Sequence, residues 1–95
     1  MKSSRIVWDF KKAAVNFHVL RVSFGSAASA INDAFSVEWI DDREAYGEER
    51  INLLGMCDGK LLDVTFTMRG EVFRIISARL AENHERNHYY RENSS

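Results

Sequence analysis

The chain has 95 residues and a formal net charge of −1, with 45% hydrophobic and 28% charged residues. This length holds one modest hydrophobic core, so we expect a single domain over residues 1–95, ordered at about residues 5–90. The absence of Pro excludes collagen-like chains, and the longest uncharged run, Val22–Asn32, is too short to span a bilayer. Cys57 is the single cysteine, which excludes an internal disulfide. We expect a cytoplasmic protein.

The charge is distributed unevenly along the chain. Residues 1–31 carry five Lys or Arg and one Asp, whereas residues 32–58 carry eight acidic residues and two Arg. Residues 59–95 are nearly balanced, with six basic and five acidic residues. This pattern fits a molecule that binds an anion with one surface and a basic partner with another, and it equally fits solvated surfaces of mixed charge.

The first third of the chain predicts one strand followed by two helices. Arg5–Trp8 is short and rich in β-formers. Asp9 has the side chain of an N-cap, and a helix is predicted from Phe10 to about Leu20, with apolar residues at helical spacing (Phe10, Ala13, Ala14, Phe17 and Leu20). Ser23 is a second predicted N-cap, before a helix at Phe24–Ala34 whose alanines allow close packing.

The rest of the chain predicts four strands and a final helix. An acidic loop at 41–49 and two turns, Asp58-Gly59 and Arg69-Gly70, separate the strands. The predicted elements are strands at Ser36–Ile40, Arg50–Met56, Lys60–Met68 and Glu71–Ser77, and a helix from about Ala81 to Tyr90. The order β-α-α-β-β-β-β-α predicts an α+β fold, a twisted antiparallel sheet with the helices packed on one face. The end of the chain, from Glu92, is expected to fray.

Arginines on and after the predicted strands are candidate phosphate ligands. Arg50 opens the third strand, Arg74 lies within the fifth, and Arg79 follows its end. Guanidinium groups hold phosphate through a two-pronged fork and stay charged at physiological pH. Arg74 and Arg79 are five residues apart, so they share a side only if the strand ends or bulges near Ser77-Ala78. The alternative is that each arginine forms a surface salt bridge with the acidic loop.

Two further groups of residues have a functional and a plain structural interpretation. Asp9, Lys12 and Asn16 share one side of the first helix, where they could offer a cation and an amide to a phosphate or form a capped, solvated stripe. His84-Glu85-Arg86-Asn87-His88 formally matches a zinc-protease pattern, but the pattern needs a third ligand and a substrate cleft. We therefore predict no metal site, and we interpret Cys57 as a small hydrophobic residue rather than a nucleophile.

Short motifs follow one another along most of the chain. They are Trp8-Asp9-x-x-Lys12-x-x-x-Asn16, Val22-Ser23-Phe24, Asp42-Arg43, Tyr46-Gly47-Glu48-Glu49-Arg50, Leu54-Gly55, Thr67-x-Arg69-Gly70 and Arg74-Ile75-Ile76-Ser77-Ala78-Arg79. In this order the motifs resemble the BrnT family, the toxin half of bacterial type II toxin–antitoxin pairs, over about residues 5–90. The resemblance implies a RelE-like fold and a ribonuclease that needs neither metal nor cofactor, cleaves RNA and halts translation. It also implies a BrnA-like antitoxin with a ribbon-helix-helix part, through which alone the pair reaches operator DNA.

The resemblance directs the choice of site residues. Metal-free RNA cleavage uses the 2′-hydroxyl of the RNA as nucleophile, so the protein must stabilise the charged phosphorane and move protons. We expect Arg50, Arg74 and Arg79 to act as catalytic residues on the phosphate, and Lys12, Asn16 and Arg69 to bind RNA. The sequence offers no obvious general base.

One departure from the family pattern keeps a second function open. The family usually has Lys-His-Gly between the motifs of the first helix and Val22-Ser23-Phe24, and this chain has Val19-Leu20-Arg21 there. The missing cation and imidazole are suited to phosphate binding and proton transfer. The alternative hypothesis is therefore a catalytically weakened homologue that binds an antitoxin or regulates transcription. A third interpretation is an interaction module without enzymatic activity.

Overall fold

The computed structural model describes residues 5–43, 45 and 47–94. Glu44 and Tyr46 of the acidic loop lie outside the described residues. Within them the chain forms a five-stranded sheet and three helices, which confirms the predicted α+β class. The elements are β1 (Arg5–Val7), α1 (Phe10–Leu20), α2 (Phe24–Ile31), β2 (Val37–Asp41), β3 (Arg50–Cys57), β4 (Lys60–Arg69), β5 (Val72–Leu80) and α3 (Asn83–Asn93). Among the helices of these residues, none combines the length and apolarity that a membrane crossing requires.

The sheet is mixed, so the prediction of an antiparallel sheet is wrong for its first strand. The strand order is β1-β5-β4-β3-β2, and β2 to β5 are antiparallel neighbours. β1 runs parallel to β5, with Ile6 beside Phe73. The physical reason is the connection: β1 leads into α1 and α2, which carry the chain across the sheet to β2 at the far edge. No hairpin joins β1 to a neighbour, so turn geometry does not fix its direction.

The helices pack on both faces, so the prediction that they share one face is also wrong. Leu53 and Leu54 are adjacent in β3 and both fully buried, although neighbouring side chains of a strand point to opposite faces. Leu53 packs in the main core with α2, whereas Leu54 packs in a smaller cluster with Tyr89 of α3. A strand that is apolar on both faces needs a cover on each. We refer below to the α1–α2 face and the α3 face.

The helix starts agree with the predicted caps, and one helix end differs. Asp9 accepts a hydrogen bond from the Lys12 backbone N–H at 3.4 Å, and Ser23 accepts from the Ser26 N–H at 3.0 Å. α2 ends at Ile31 rather than Ala34, because the carboxylate of Asp33 accepts from the N–H of Phe35 at 2.9 Å and forms a turn instead. Asn93, expected to fray, lies in α3 and donates to the Phe35 carbonyl at 2.9 Å.

Two glycines are required by the backbone geometry of the sheet. Asp58 and Gly59 both have positive φ, 49° and 77°, as the predicted two-residue hairpin turn requires. Gly55 lets α2 approach β3: a Cβ atom there would lie 2.1 Å from the Ala30 carbonyl oxygen. The fully buried alanines of α2 make the same close approach possible from the other side.

The apolar residues of α1 are buried less than their spacing predicts. Phe10 is 84% exposed and Phe17 50% exposed. Ala13 packs against the core, and the polar Asn16 is the buried residue of this helix. The side that packs on the sheet is therefore narrow and centred on small and polar residues, which leaves large apolar side chains of α1 in solvent.

Candidate functional site

The α3 face of the sheet carries a band of polar side chains across its central strands. Strand register and side-chain alternation place them there in three rows. The members are Arg50, Thr67 and Arg74 in the first row, Asn52, Thr65 and Ser77 in the second, and Asp63 and Arg79 in the third. We call these eight residues the polar band. α3 covers its third row, where Glu85 contacts Arg79.

A bulge in β5 brings both arginines of that strand to the same face. Phe66 pairs with Ile75 and Thr65 pairs with Ser77, so Ile76 is an additional residue opposite β4. This shift reverses the alternation between Arg74 and Arg79, which are five residues apart. It meets the condition under which the sequence allowed them to share a face, and β5 runs past the predicted end at Ser77 to Leu80.

The first row places a buried hydroxyl between two arginines. Thr67 on β4 is paired in register with Arg50 on one side and Arg74 on the other. Its side chain is buried, and its Oγ1 has no hydrogen-bond partner among the described residues. The Nε of Arg50 lies 3.8 Å from Glu48 Oε2, so this arginine does approach the acidic loop. Two guanidinium groups beside a free hydroxyl form a suitable anion site.

Arg74 differs from the other arginines of the polar band in its partners. Its side chain is half-buried and makes no hydrogen bond or ion pair within the described part of the chain. Its backbone is fixed on both sides, by Thr67 of β4 and by Val7 of β1. A cation held in place without an internal counter-charge is available to an external anion.

Arg79 is enclosed by partners in the third row. Its Nη1 and Nη2 each lie 2.8 Å from one carboxylate oxygen of Glu85, and Nη2 lies 2.9 Å from Asp63 Oδ2. Nη1 also donates to the Leu80 carbonyl at 3.1 Å. Asp63 accepts in turn from Asn52 Nδ2 at 2.8 Å. The partner of Arg79 is therefore the start of α3 rather than the acidic loop that the sequence suggested.

The pKa values of the two carboxyl groups around Arg79 are shifted in opposite directions. Burial raises the pKa of Asp63 to about 7, assisted by its hydrogen bond with Glu85. Burial also opposes ionisation of Glu85, but hydrogen bonds from Arg79 and Asp63 outweigh it and lower the pKa of Glu85. The Glu85 hydrogen bond raises the pKa of Arg79. Below about pH 7 the cluster therefore holds one proton, on Asp63.

An acidic cleft of about 310 Å³ opens beside the third row. Asn52, Asp63, Arg79 and Glu85 line its inner side, and Trp39, Arg43 and His84 lie among the residues around it. The carboxylate of Asp41 is bound by Arg43 through two hydrogen bonds of 2.8 Å. Acidic groups outnumber the arginines here, so this cleft is less suited to RNA than the first row.

The remaining predicted RNA-binding residues lie outside the polar band, although Arg69 follows Thr67 by two residues on β4 and so lies on the same face, next to the first row. Lys12 and Asn16 belong to α1 on the opposite face, and Arg69 is exposed at the end of β4. The amide of Asn16 donates to the carbonyls of Val22 and Ala78, both at 2.9 Å, and accepts from the Ala78 N–H at 3.1 Å. The two bonds to Ala78 hold α1 against the free edge of β5 beyond its pairing with β1, and the bond to Val22 fixes the segment that follows α1.

The histidine motif and the cysteine occupy structural positions. Glu85 is bound to Arg79, and the His88 ring packs edge-on against Trp39 with centroids 6.0 Å apart. No group of three metal-ligating side chains occurs in the described residues. Cys57 is half-buried and packs against the main core.

Thr67, Asp63 and Asn52 were not among the predicted site residues, although the sequence carries a signal for them. In Leu61-Leu62-Asp63-Val64-Thr65-Phe66-Thr67, polar residues occupy every second position of an otherwise apolar strand. Such a pattern indicates one face with polar groups that is nevertheless buried. Asn52 sits at the matching position of β3 and joins the band by a hydrogen bond of 3.2 Å to Thr65.

Comparison with known proteins identifies the family. No curated protein matches the chain. The family model described as the ribonuclease toxin, BrnT, of type II toxin–antitoxin systems matches residues 8–85, which is most of the chain and includes every residue of the polar band. The chain therefore belongs to the BrnT family of ribonuclease toxins.

Proposed function

We propose that this chain is an endoribonuclease toxin that cleaves RNA without a metal, inhibits translation in the cytoplasm, and is neutralised by a BrnA-like antitoxin. The family match supports the general activity. The observation that carries the specific proposal is the first row of the polar band, where Arg50 and Arg74 flank the buried Thr67. The element order and sheet are consistent with a RelE-like fold. We further propose that the chain reaches operator DNA only as part of the antitoxin complex.

The first row provides the groups that phosphate chemistry needs. Arg50 and Arg74 bind the scissile phosphate and stabilise the charge that develops on the phosphorane. Thr67 lies buried between these arginines, and its hydroxyl donates to a phosphate oxygen once their side chains turn outward to bind the phosphate. The 2′-hydroxyl of the RNA attacks the phosphorus and gives its proton to water, and the bond from phosphorus to the 5′-oxygen breaks. The 5′-oxygen leaves with a proton taken from water, and a 2′,3′-cyclic phosphate remains on the other product. With two fixed cations, this arrangement lowers the barrier through charge stabilisation and positioning of the phosphate.

Arg79 has a positioning role in this proposal. Its guanidinium donates four hydrogen bonds, to Glu85, Asp63 and Leu80, and these fix α3 beside the phosphate site. Asn16 is a structural residue by the same argument, because its amide is fully used by backbone groups of Val22 and Ala78. Lys12 and Arg69 are exposed cations outside the first row, and we assign them no contact with the scissile phosphate.

A second candidate function rests on the end of α1. Where the family has Lys-His-Gly, this chain has Val19 and Leu20, which are 66% and 42% exposed, and Arg21 with φ 61°. The left-handed backbone at Arg21 is the conformation that a glycine favours, so the position corresponds to the family glycine while the cation and imidazole are replaced. This observation supports a weakened toxin that retains antitoxin binding.

The two functions are separated by RNA cleavage in a cell-free translation extract that contains a chelator. We expect the unaltered chain to cleave RNA and stop protein synthesis, and we expect the antitoxin encoded beside it to restore synthesis. An extract that keeps translating, with the chain shown to be folded and to bind the antitoxin, would favour the weakened homologue. The extract contains ribosomes as well as free RNA, so both modes of cleavage are detected.

A further inference from the structure

The outer side of α1 and the neighbouring edge of β5 form an apolar groove. Its volume is about 410 Å³, and its lining includes Val15, Val19 and Leu20 of α1 and Ile76 of β5. Val15 is 63% exposed, and the bulge that directs Arg74 and Arg79 to the α3 face is also the feature that adds Ile76 here. Branched aliphatic side chains on both walls of a groove mark a surface that another molecule covers.

Two lysines give the groove a positive charge. Lys11 and Lys12 line it, both are exposed, and neither side chain makes an ion pair within the described part of the chain. Lys11, Val15 and Val19 follow one another at four-residue intervals, so they form one ridge along three turns of α1. An occupant that fits this ridge needs apolar side chains along its length and carboxylates near the first turn of α1.

We propose that this groove binds an acidic amphipathic helix of the antitoxin. The proposal rests on the proposed function, since it names the surface through which the toxin meets its partner. A helix laid into an apolar groove buries its apolar stripe and places its carboxylates against the two lysines. The α1 helix has 11 residues and is therefore about 16 Å long, enough to contact roughly three turns of a partner helix.

RNA is the less suitable occupant of the groove. Its walls offer methyl groups, and the cations that line it are confined to the first turn of α1, whereas RNA binding depends on phosphate neutralisation along its path. The groove also lies on the side of α1, away from the α3 face that carries Arg50 and Arg74. The antitoxin helix consequently anchors the partner without occupying the phosphate site.

The test compares two variants of the same helix. Val15→Glu and Ala14→Glu each add one negative charge at an exposed position of α1, but only Val15 lines the groove. Glu has a higher helix propensity than Val, so the fold tolerates the substitution. The purified antitoxin from the same operon is titrated into each chain by calorimetry. We expect Val15→Glu to weaken the Kd at least tenfold and Ala14→Glu to change it less than twofold.

The outcomes distinguish this proposal from the proposed function. If Val15→Glu and Val19→Glu both bind the antitoxin as tightly as the unaltered chain does, the assignment of the groove is overturned. Loss of RNA binding in Val15→Glu with an unchanged antitoxin Kd would assign the groove to RNA and overturn it as well. Absence of any complex with the unaltered chain would contradict the toxin–antitoxin pairing itself, and this inference with it. Thermal unfolding of each variant shows whether a loss of antitoxin affinity reflects a loss of folded structure.

Discussion

Arg79 and Glu85 form a bidentate ion pair with two contacts of 2.8 Å, and this pair joins the last strand to the last helix. Glu85 also caps α3, since its Oε1 accepts from the backbone N–H of Glu82 at 2.8 Å. The same carboxylate thus starts the helix and fixes it to the sheet.

Replacing Arg79 by Ala is expected to destabilise the protein. The substitution leaves Asp63 and Glu85 buried without their cation, which costs about 3 kcal/mol in comparable buried pairs. Urea denaturation of the variant and of Arg86→Ala, an exposed arginine of α3, measures the difference. Equal stability of the two variants would contradict the positioning role of Arg79, and a loss of toxicity in Arg79→Ala could then be assigned to phosphate binding.

The stability of the protein is expected to fall as the pH rises from about 4 to about 7. Asp63 has a pKa of about 7 in the folded protein, against about 4 when unfolded, so the folded state holds a proton that the unfolded state has lost in this range. The proton therefore favours folding at the lower pH. Glu85 has a lowered pKa and contributes in the opposite direction, with stability gained as the pH rises to about 4.

Asp63→Asn tests this pH dependence. The amide does not titrate, so the free energy of unfolding of the variant should lose the decline between pH 4.5 and 7.5. That decline is about 3 kcal/mol for a folded pKa of about 7. Chemical denaturation at the two pH values, for the unaltered chain and the variant, gives the comparison. A decline of equal size in both proteins would show that another group titrates.

Arg21→Gly is expected to stabilise the fold. Arg21 ends α1 with φ 61°, and a side chain in this left-handed conformation costs about 1 kcal/mol relative to glycine. Part of the gain is offset by the greater freedom of glycine in the unfolded chain. The net increase should be about 0.5 kcal/mol, visible as a melting temperature a few degrees higher. Arg21→Ala retains the Cβ atom and should show no increase.

Leu20→His tests whether the absence of the family imidazole lowers the rate of RNA cleavage. If the proposed arginine row suffices for cleavage, the variant and the unaltered chain should cut RNA at rates within a factor of about 3. Both are compared in the same extract with the same chelator. A gain of a hundredfold or more in Leu20→His would instead assign the unaltered chain to the weakened homologues, with an intact scaffold and a missing imidazole.

Much of the fold follows from local sequence signals. Asp9 and Ser23 predict the helix starts because a capping side chain acts within three residues, and Asp58-Gly59 predicts its hairpin because both residues accept positive φ. The direction of β1 and the face of α3 depend on long-range packing. In β3, Leu53 and Leu54 are both buried, and the neighbouring sequence does not indicate which helix packs on which of these side chains.

The sequence identifies candidate arginines of the site by their residue type, but it does not show which groups they contact in the folded protein. Arg50 and Arg74 could be selected because a guanidinium in a strand is conspicuous, but their meeting across Thr67 depends on register. The role of Asn16 was not predictable from its spacing with Lys12, because its partners at Val22 and Ala78 come from distant parts of the chain. Arg79 carries the same guanidinium as Arg74, and its different role is set by its carboxylate neighbours in the folded protein.

RNA cleavage by Arg74→Gln is the sharpest test of whether the row Arg50–Thr67–Arg74 binds the scissile phosphate. Arg86→Gln removes the same charge from an exposed position and serves as the matched control. We expect Arg74→Gln to lower the cleavage rate at least a hundredfold, with its folding stability changed by less than about 1 kcal/mol, and Arg86→Gln to cleave normally. Cleavage by Arg74→Gln at the rate of the control would show that this row does not bind the scissile phosphate.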